Sequence, residues 1–234
     1  MRYFLLLCFI SLSLYSEAQI SNKEIDAVLM PYVTSGEVSG IVTIVAKGEN
    51  ILSVNNVGFQ NIDKNKKMEP DALFWIASQS KPIAATAVMM LVEEGKLSLD
   101  EPITTYIPEF NRLVVARIWR EGWQVEERLS KPITLRHLLS HTSGMQWVAE
   151  LQGQAKKIDV LPLQLSLYAS TTTPLFFEPG ERYNYSNQGI NVAAAIIERV
   201  SGKPYFDFLQ SRLFEPLGMK LSLIHISSPR DMRR

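Results

Sequence analysis

Hydrophobic and polar positions follow two different periods in the first third of the chain. Ser21 and Glu24 form a capping box, after which apolar residues at 25, 28, 29 and 32 recur at helical spacing. This pattern predicts an amphipathic helix, whose last turn Pro31 should kink or shorten. Residues 40–46 are rich in β-branched side chains, and four turn-forming residues separate them from the apolar positions of 51–56. We therefore expect a β-hairpin.

Longer helical patterns follow the hairpin. Residues 61–71 are polar and are predicted to form a loop, whereas residues 77–94 read as a helix that Gly95 ends. Its inward positions are Ala84, Ala85, Ala87, Val88, Leu91 and Val92. Residues 111–129 mix tryptophan with many charges and are expected to be surface connections. Helical patterns return at 134–141, 187–200 and 204–214.

The first 18 residues are typical of a signal peptide. Arg2 precedes an apolar run at 3–14, and the small residues Ser16 and Ala18 stand at the −3 and −1 positions of a cleavage site. The chain's single cysteine, Cys8, lies inside this segment, so the mature protein should hold no disulfide, catalytic thiol or cysteine metal site. No later run reaches the roughly 18 apolar residues of a membrane span. We expect a periplasmic or secreted protein.

The last 14 residues, 221–234, show no periodicity. They resemble translated sequencing-adapter read-through more than a protein terminus, and the alternative is an ordinary exposed tail. The predicted organisation is therefore a signal peptide at 1–18, one domain at 19–220 and a non-native tail at 221–234.

Composition and charge remove other classes of protein. The chain is 46% hydrophobic, which suffices for a sizeable core, and its 24 basic and 24 acidic residues leave no net charge. Without a basic stripe, nucleic-acid binding is not expected. The sequence indicates no cofactor, and the tryptophans at 75, 119 and 147 are expected to pack, although any of them could line a cleft.

Two histidine patterns resemble known kinds of site but are not predicted to form one. His137 and His141 stand four residues apart, as helical metal ligands do, but no glutamate lies between them and no third ligand is evident, so we predict packed, hydrogen-bonded histidines and no metal. A serine–histidine–acid triad through Ser143 is not favoured, because the chain has no Gly-x-Ser-x-Gly and the remaining His225 lies in the tail.

Ser78 and Lys81 are the first pair with a chemical interpretation. Residues three apart at a helix start share a face, about 5–6 Å apart at Cβ, so hydroxyl and amine can meet. Free N–H groups and positive potential at the helix N-terminus would favour an oxyanion there. The spacing alone is common by chance, and a solvated helix start is the alternative.

The surrounding motifs resemble the serine β-lactamase and penicillin-binding-protein superfamily, and within it the esterase-like branch of class C β-lactamase-related serine hydrolases. The resemblance covers residues 40–220 and is carried by 74–83 with its continuation to Asp100, 133–144, 178–180 and 183–189. It implies an α+β fold, in which helices flank an antiparallel sheet and a second subdomain is all helical.

The resemblance also implies roles for four residues. Ser78 matches the acylated nucleophile and Lys81 its amine partner. Tyr185 matches the phenol that relays a proton, and Asn187 the amide that holds the lysine and the substrate carbonyl. A neighbouring ammonium would favour the Tyr185 phenolate. The superfamily's third motif, Lys-Thr-Gly or a variant, is not found, so we expect a C-terminally truncated chain whose last sheet strands are missing and whose catalysis is impaired.

Three functions remain open from the sequence. The first is a secreted serine hydrolase that cleaves esters or amides through an acyl-serine intermediate. The second is a β-lactamase or D-Ala-D-Ala carboxypeptidase, and the third is a non-catalytic penicillin- or peptidoglycan-binding module or an inactive fragment. The expected partner is a small ester, a β-lactam or a peptidoglycan-type substrate. The oligomeric state is not indicated.

Overall fold

The computed structural model describes residues 21–118, 124–147 and 163–219, and the chain divides into two compact units, Met1–Phe74 and Trp75–Arg234. The signal peptide predicted at 1–18 and the tail predicted at 221–234 lie outside the described residues, so the limits of the domain at 19–220 stay predictions.

The first unit is a helix followed by an antiparallel sheet. Helix α1 (Asn22–Thr34) precedes strands β1 (Gly40–Lys47), β2 (Asn50–Asn61) and β3 (Lys66–Lys67), which pair in the order β1-β2-β3. The capping box is present, since Ser21 Oγ accepts from the Glu24 N–H and the Glu24 carboxylate accepts from the Ser21 N–H. Asn55 on β2 ties the sheet to α1 by donating to the Asn22 carbonyl at 2.8 Å and to Asp26 at 2.9 Å.

The hairpin is longer than its sequence pattern predicted. Strand β2 runs to Asn61, and β3 lies inside the segment predicted to be a polar loop. Asn65 supplies the tight turn that makes this third strand possible, because asparagine tolerates its positive φ of 49°. Helix α1 also continues past Pro31 to Thr34. The predicted hairpin is confirmed, and its boundaries are corrected.

In its described residues, the second unit is helical apart from one antiparallel hairpin. Its helices are α2 (Ser80–Glu93), α3 (Leu135–Leu139), α4 (Leu163–Thr171), α5 (Asn187–Ser201) and α6 (Tyr205–Leu209), and a π-helical turn (Gln210–Phe214) continues α6. Short 3₁₀ turns lie at Ala77–Gln79, Ile103–Thr105 and Pro108–Arg112. Helix α5 packs against α2, α3, α4 and α6, and its apolar face is almost wholly buried. It is the centre of this unit's core.

Two elements of this unit were missed from sequence. Residues 111–129, predicted as surface connections, contain the antiparallel strands β4 (Val114–Ile118) and β5 (Gln124–Arg128). Val115 is buried, and the backbone of β4 bonds to Leu175 on both sides of it, at 2.8 and 2.9 Å. Residues 114–118 do not alternate apolar with polar side chains, so the sequence pattern was too weak to predict a strand. Helix α4 was the second omission.

The observed elements confirm the α+β class, with an antiparallel sheet and a helical part. Within the described ranges, no helix is long and apolar enough to cross a membrane.

Candidate active site

Ser78 and Lys81 meet as their spacing predicted. Ser78 lies in the 3₁₀ turn Ala77–Gln79, and Lys81 lies in the first turn of α2, so both project from one helical face. Lys81 Nζ donates a hydrogen bond to Ser78 Oγ at 3.1 Å. The serine is exposed, which leaves its oxygen accessible to a ligand.

The backbone immediately before Ser78 is in an uncommon conformation. Ala77 has a φ of 44°, in the left-handed region that non-glycine residues rarely occupy. Ser80 Oγ donates to the Ala77 carbonyl at 2.5 Å and helps to hold this turn. Strained backbone of this kind persists where surrounding contacts over-determine it. The turn fixes the direction in which Ser78 projects.

Tyr185 completes the cluster from the distant end of the unit. Its hydroxyl donates to Ser78 Oγ at 2.7 Å, across a sequence separation of 107 residues. Lys81 Nζ lies 4.8 Å from the centroid of the phenol ring. The hydrogen bond with Lys81, followed by that with Ser78, lowers the pKa of Tyr185 below its ordinary value of 10. Three of the four predicted site residues therefore share one hydrogen-bonded cluster.

Asn187 is the predicted site residue that stands apart from this cluster. It is the first residue of α5, and its backbone N–H donates to the Trp147 carbonyl at 3.1 Å. Its side-chain amide makes no hydrogen bond to Lys81 or to any other residue in the part of the chain that the structure describes. Asn187 is half-buried and lies two residues after Tyr185 in the chain.

Two aromatic neighbours of Tyr185 were not predicted as site residues. The His141 ring centroid lies 4.5 Å from that of Tyr185, and the Trp147 ring centroid lies 5.3 Å from it. Burial first, and the charge of Lys81 second, lower the pKa of His141. His141 lies within the 133–144 motif, but nothing in the spacing of that motif indicates that its ring faces Tyr185.

Both histidines of the 134–141 segment take hydrogen-bonded positions. His137 Nδ1 accepts from the Thr134 N–H at 3.2 Å, and His141 Nδ1 accepts from the Ser186 N–H at 3.2 Å. Among the described residues, no group of three histidine, cysteine, aspartate or glutamate side chains is arranged to hold a metal ion.

A cavity of about 350 Å³ lies beside the segment that carries Tyr185. Three of its lining residues, Gln146, Tyr183 and Asn184, are close in sequence to Trp147 and Tyr185. The others are Ala116, Phe176, Phe177 and Arg182. Arg182 lies over the Phe177 ring, 4.7 Å from its centroid, so aromatic and cationic surfaces share the cavity.

Known proteins match this chain over most of its length. The Beta-lactamase family profile matches residues 25–234. Esterase EstB of Burkholderia gladioli is 33% identical over 207 residues, which is 84% of this chain and 50% of EstB. The chain spans about half the length of the curated relatives it matches.

Solved structures agree in fold. EstCE1, described as a hydrolase with promiscuous acyltransferase activity, superposes with a TM-score of 0.74 at 25% identity. The match covers 90% of this chain and 57% of the EstCE1 chain. The D-amino acid amidase of Ochrobactrum anthropi SV3 superposes with a TM-score of 0.65 at 31% identity. The match covers 86% of this chain and 50% of the amidase chain. The family match and the shared fold agree with the motifs around Ser78 and Tyr185, and the chain belongs to the Beta-lactamase family of serine hydrolases.

Proposed function

We propose that this chain is a serine hydrolase that cleaves ester or amide bonds through an acyl-Ser78 intermediate. The observation that carries the proposal is the double hydrogen bond to Ser78 Oγ, from Lys81 Nζ at 3.1 Å and from Tyr185 Oη at 2.7 Å. A serine hydroxyl is a weak nucleophile until an adjacent base takes its proton. Both partners stand at hydrogen-bond distance for that transfer.

Ser78, Lys81 and Tyr185 can supply the nucleophile and the proton transfers of this reaction. As a neutral phenol, Tyr185 donates to Ser78 Oγ. As the phenolate beside the Lys81 ammonium, it accepts the Ser78 proton while Ser78 Oγ bonds to the substrate carbonyl carbon. The tetrahedral oxyanion then collapses, the bond to the leaving group breaks, and the proton passes from Tyr185 to the departing alcohol or amine. Water repeats these steps on the acyl-Ser78 ester and releases the acid. The N-terminal end of α2 adds positive potential near the oxyanion.

Esters are the first substrate class to test, because EstB is named an esterase and EstCE1 is described as a hydrolase with promiscuous acyltransferase activity. Amides come next, supported by the amidase from Ochrobactrum anthropi. β-Lactams and D-Ala-D-Ala peptides remain the alternative, supported by penicillin-binding proteins among the relatives. The signal peptide predicted at 1–18 supports export to the periplasm or beyond, and a mature N-terminus at Gln19 in an expressing cell would test it.

The nucleophile is tested with a fluorophosphonate probe. The 234-residue chain should be labelled on Ser78, Ser78→Ala should not be labelled, and Ser98→Ala is the control because it removes another exposed serine outside the Ala77–Gln79 turn. Mass spectrometry that places the adduct on Ser80, Ser143 or Ser186 would overturn the assignment, as would a chain that takes no label.

Substrate class is tested on the same preparations. Short-chain nitrophenyl esters should turn over faster than a chromogenic cephalosporin or phenylalanine amide, and the reverse order would select an alternative. Labelling of Ser78 without turnover of any substrate would show a binding module. Lys81→Ala and Tyr185→Phe should each slow acylation by more than ~10²-fold, and together by less than the product, because each group tunes the other.

A further inference from the structure

His141 is bonded to the Tyr185 segment on both sides of the tyrosine. Its carbonyl accepts from the Asn184 N–H at 2.8 Å, and its Nδ1 accepts from the Ser186 N–H at 3.2 Å. Its ring lies 4.5 Å from the Tyr185 ring, and the Tyr183 ring meets it edge-on at 5.9 Å. A single residue thus holds the backbone before and after Tyr185 and contacts its ring.

The backbone of His141 is itself constrained. Its φ of 59° lies in the left-handed region, which residues other than glycine rarely occupy. The His141 N–H donates to the Leu138 carbonyl at 3.3 Å, so the residue closes the end of α3 and then turns its ring toward the 183–186 segment. Strained backbone conformations of this kind are found mostly at active sites and ligand-binding sites.

The hydrogen bond to Ser186 requires a neutral imidazole. Because Nδ1 accepts, the ring proton must sit on Nε2, and an imidazolium would have no lone pair left at Nδ1. The charged and titratable groups that face the ring are Lys81 on α2 and Tyr183 and Tyr185 on the adjoining segment. Burial first and the Lys81 charge second lower the pKa of His141.

We infer that His141 is a positioning residue whose neutral imidazole holds the Tyr185 hydroxyl on Ser78 Oγ. It touches neither Ser78 nor a reacting atom, and it acts through the backbone at 184 and 186 and through ring contact with Tyr185. The inference rests on the proposed function, since it explains how the proton-transfer partner of Ser78 is kept in place. Protonation of the ring in acid would break the Ser186 bond and release Tyr185.

A double-mutant cycle separates positioning from general stabilisation. His141→Leu removes the acceptor, and it should slow fluorophosphonate labelling of Ser78 by about tenfold or more in the wild-type background but by less than about threefold when Tyr185→Phe is already present. His137→Leu is the matched control, because His137 accepts a backbone hydrogen bond in the same way without contacting Tyr185. It should have the same small effect in both backgrounds. An equal loss for His141→Leu in both backgrounds would overturn the inference.

His141→Asn provides a second variant if the leucine variant does not fold. Asparagine tolerates positive φ and carries an acceptor oxygen, so it should label within about fivefold of the wild type at pH 7.5. The labelling rate of the wild type should fall as the pH drops below 6.5, and that of His141→Asn should fall less over the same range. A labelling rate that falls identically with pH in both proteins would contradict the inference.

NMR of the three histidines gives a readout that needs no activity. The His141 ring should be the Nε2–H tautomer with a pKa below 6.5, assigned by comparison with His141→Asn. The Nδ1–H tautomer or a pKa at or above 6.5 would overturn the positioning role even if Ser78 is the nucleophile. Failure of wild-type Ser78 labelling with the expected tautomer present would instead count against the proposed function alone.

Discussion

At the scale of single residues, the site is governed by one cation beside one phenol. Lys81 donates to Ser78 Oγ at 3.1 Å, and the same ammonium is the main reason that the pKa of Tyr185 lies below 10. An opposite charge within a few ångströms favours the ionised form of an acid. Tyr185 is thereby brought closer to use as a base near neutral pH.

This coupling predicts a shift in pH dependence when the cation is removed. In Lys81→Met the pKa of Tyr185 should rise back toward 10, so the residual labelling of Ser78 should reach its maximum at a higher pH than in the wild type. Ultraviolet titration of the phenolate, with Tyr185→Phe as the reference, measures the same shift directly. Lys96→Met is the control, because that lysine pairs with Glu94 instead. An unchanged Tyr185 titration in Lys81→Met would contradict the electrostatic account.

At the scale of elements, the turn that follows α3 connects the helical core to the site. Gly144 in this turn has a φ of 80°, and its carbonyl accepts from the Phe176 N–H at 2.8 Å. A Cβ at this position would stand 2.1 Å from the Phe177 carbonyl oxygen. The turn and the 176–177 backbone can approach this closely only with glycine.

Gly144→Ala should therefore be costly for a reason that goes beyond its φ. We expect a loss of more than about 2 kcal/mol in the free energy of unfolding, because backbone must move as well as adopt a strained conformation. Gly95→Ala is the matched control, since its φ is 68° but nothing lies within 4 Å of the added Cβ. It should cost only about 1 kcal/mol from the left-handed conformation. Denaturant unfolding measures both, and equal losses would show that the close approach to Phe177 is not decisive.

At the scale of the whole molecule, folding lowers the pKa of two imidazoles. Burial is the main cause that lowers the pKa of both His137 and His141 below 6.5. A group whose pKa is lower in the folded than in the unfolded state contributes stability above its unfolded pKa, and this contribution is lost as the pH falls through the folded value.

Stability should accordingly decline in two stages on acidification. The first stage begins below pH 6.5 and belongs to the histidines. The second stage belongs to carboxylates whose pKa values hydrogen bonds lower, and it lies below their ordinary pKa values of 4.5 for glutamate and 3.8 for aspartate. These carboxylates are Glu94, bonded to Lys96 and Arg212, Glu109, bonded to Arg199, and Asp100, bonded to Arg136. Melting temperature against pH is the measurement. The double variant His137→Asn/His141→Asn should remove the first stage and keep the second, and persistence of the first would contradict its assignment.

Much of the local structure could be predicted because it depends on near neighbours in the chain. Three predicted features depend only on residues within four positions of one another, or on the backbone of a single residue. They are the capping box at Ser21, the helix stop at Gly95 and the contact between Ser78 and Lys81. Helix geometry alone brings such groups together. The β4–β5 hairpin failed the same reasoning, because Val115 is buried by contact with the Leu175 segment and not by a visible alternation in its own strand.

The sequence by itself predicted Ser78 as the candidate nucleophile and Lys81 as its amine partner, and the family motif predicted roles for Tyr185 and Asn187. Only the tertiary structure decided that Tyr185 reaches Ser78 across 107 residues while the Asn187 amide bonds to no described neighbour. It also decided that His141, and not His137 one helical turn earlier, contacts the tyrosine. The spacing of the two histidines in the sequence does not indicate which of them contacts Tyr185. They differ because the chain reverses at His141, where a left-handed φ turns that ring toward a segment more than 40 residues away.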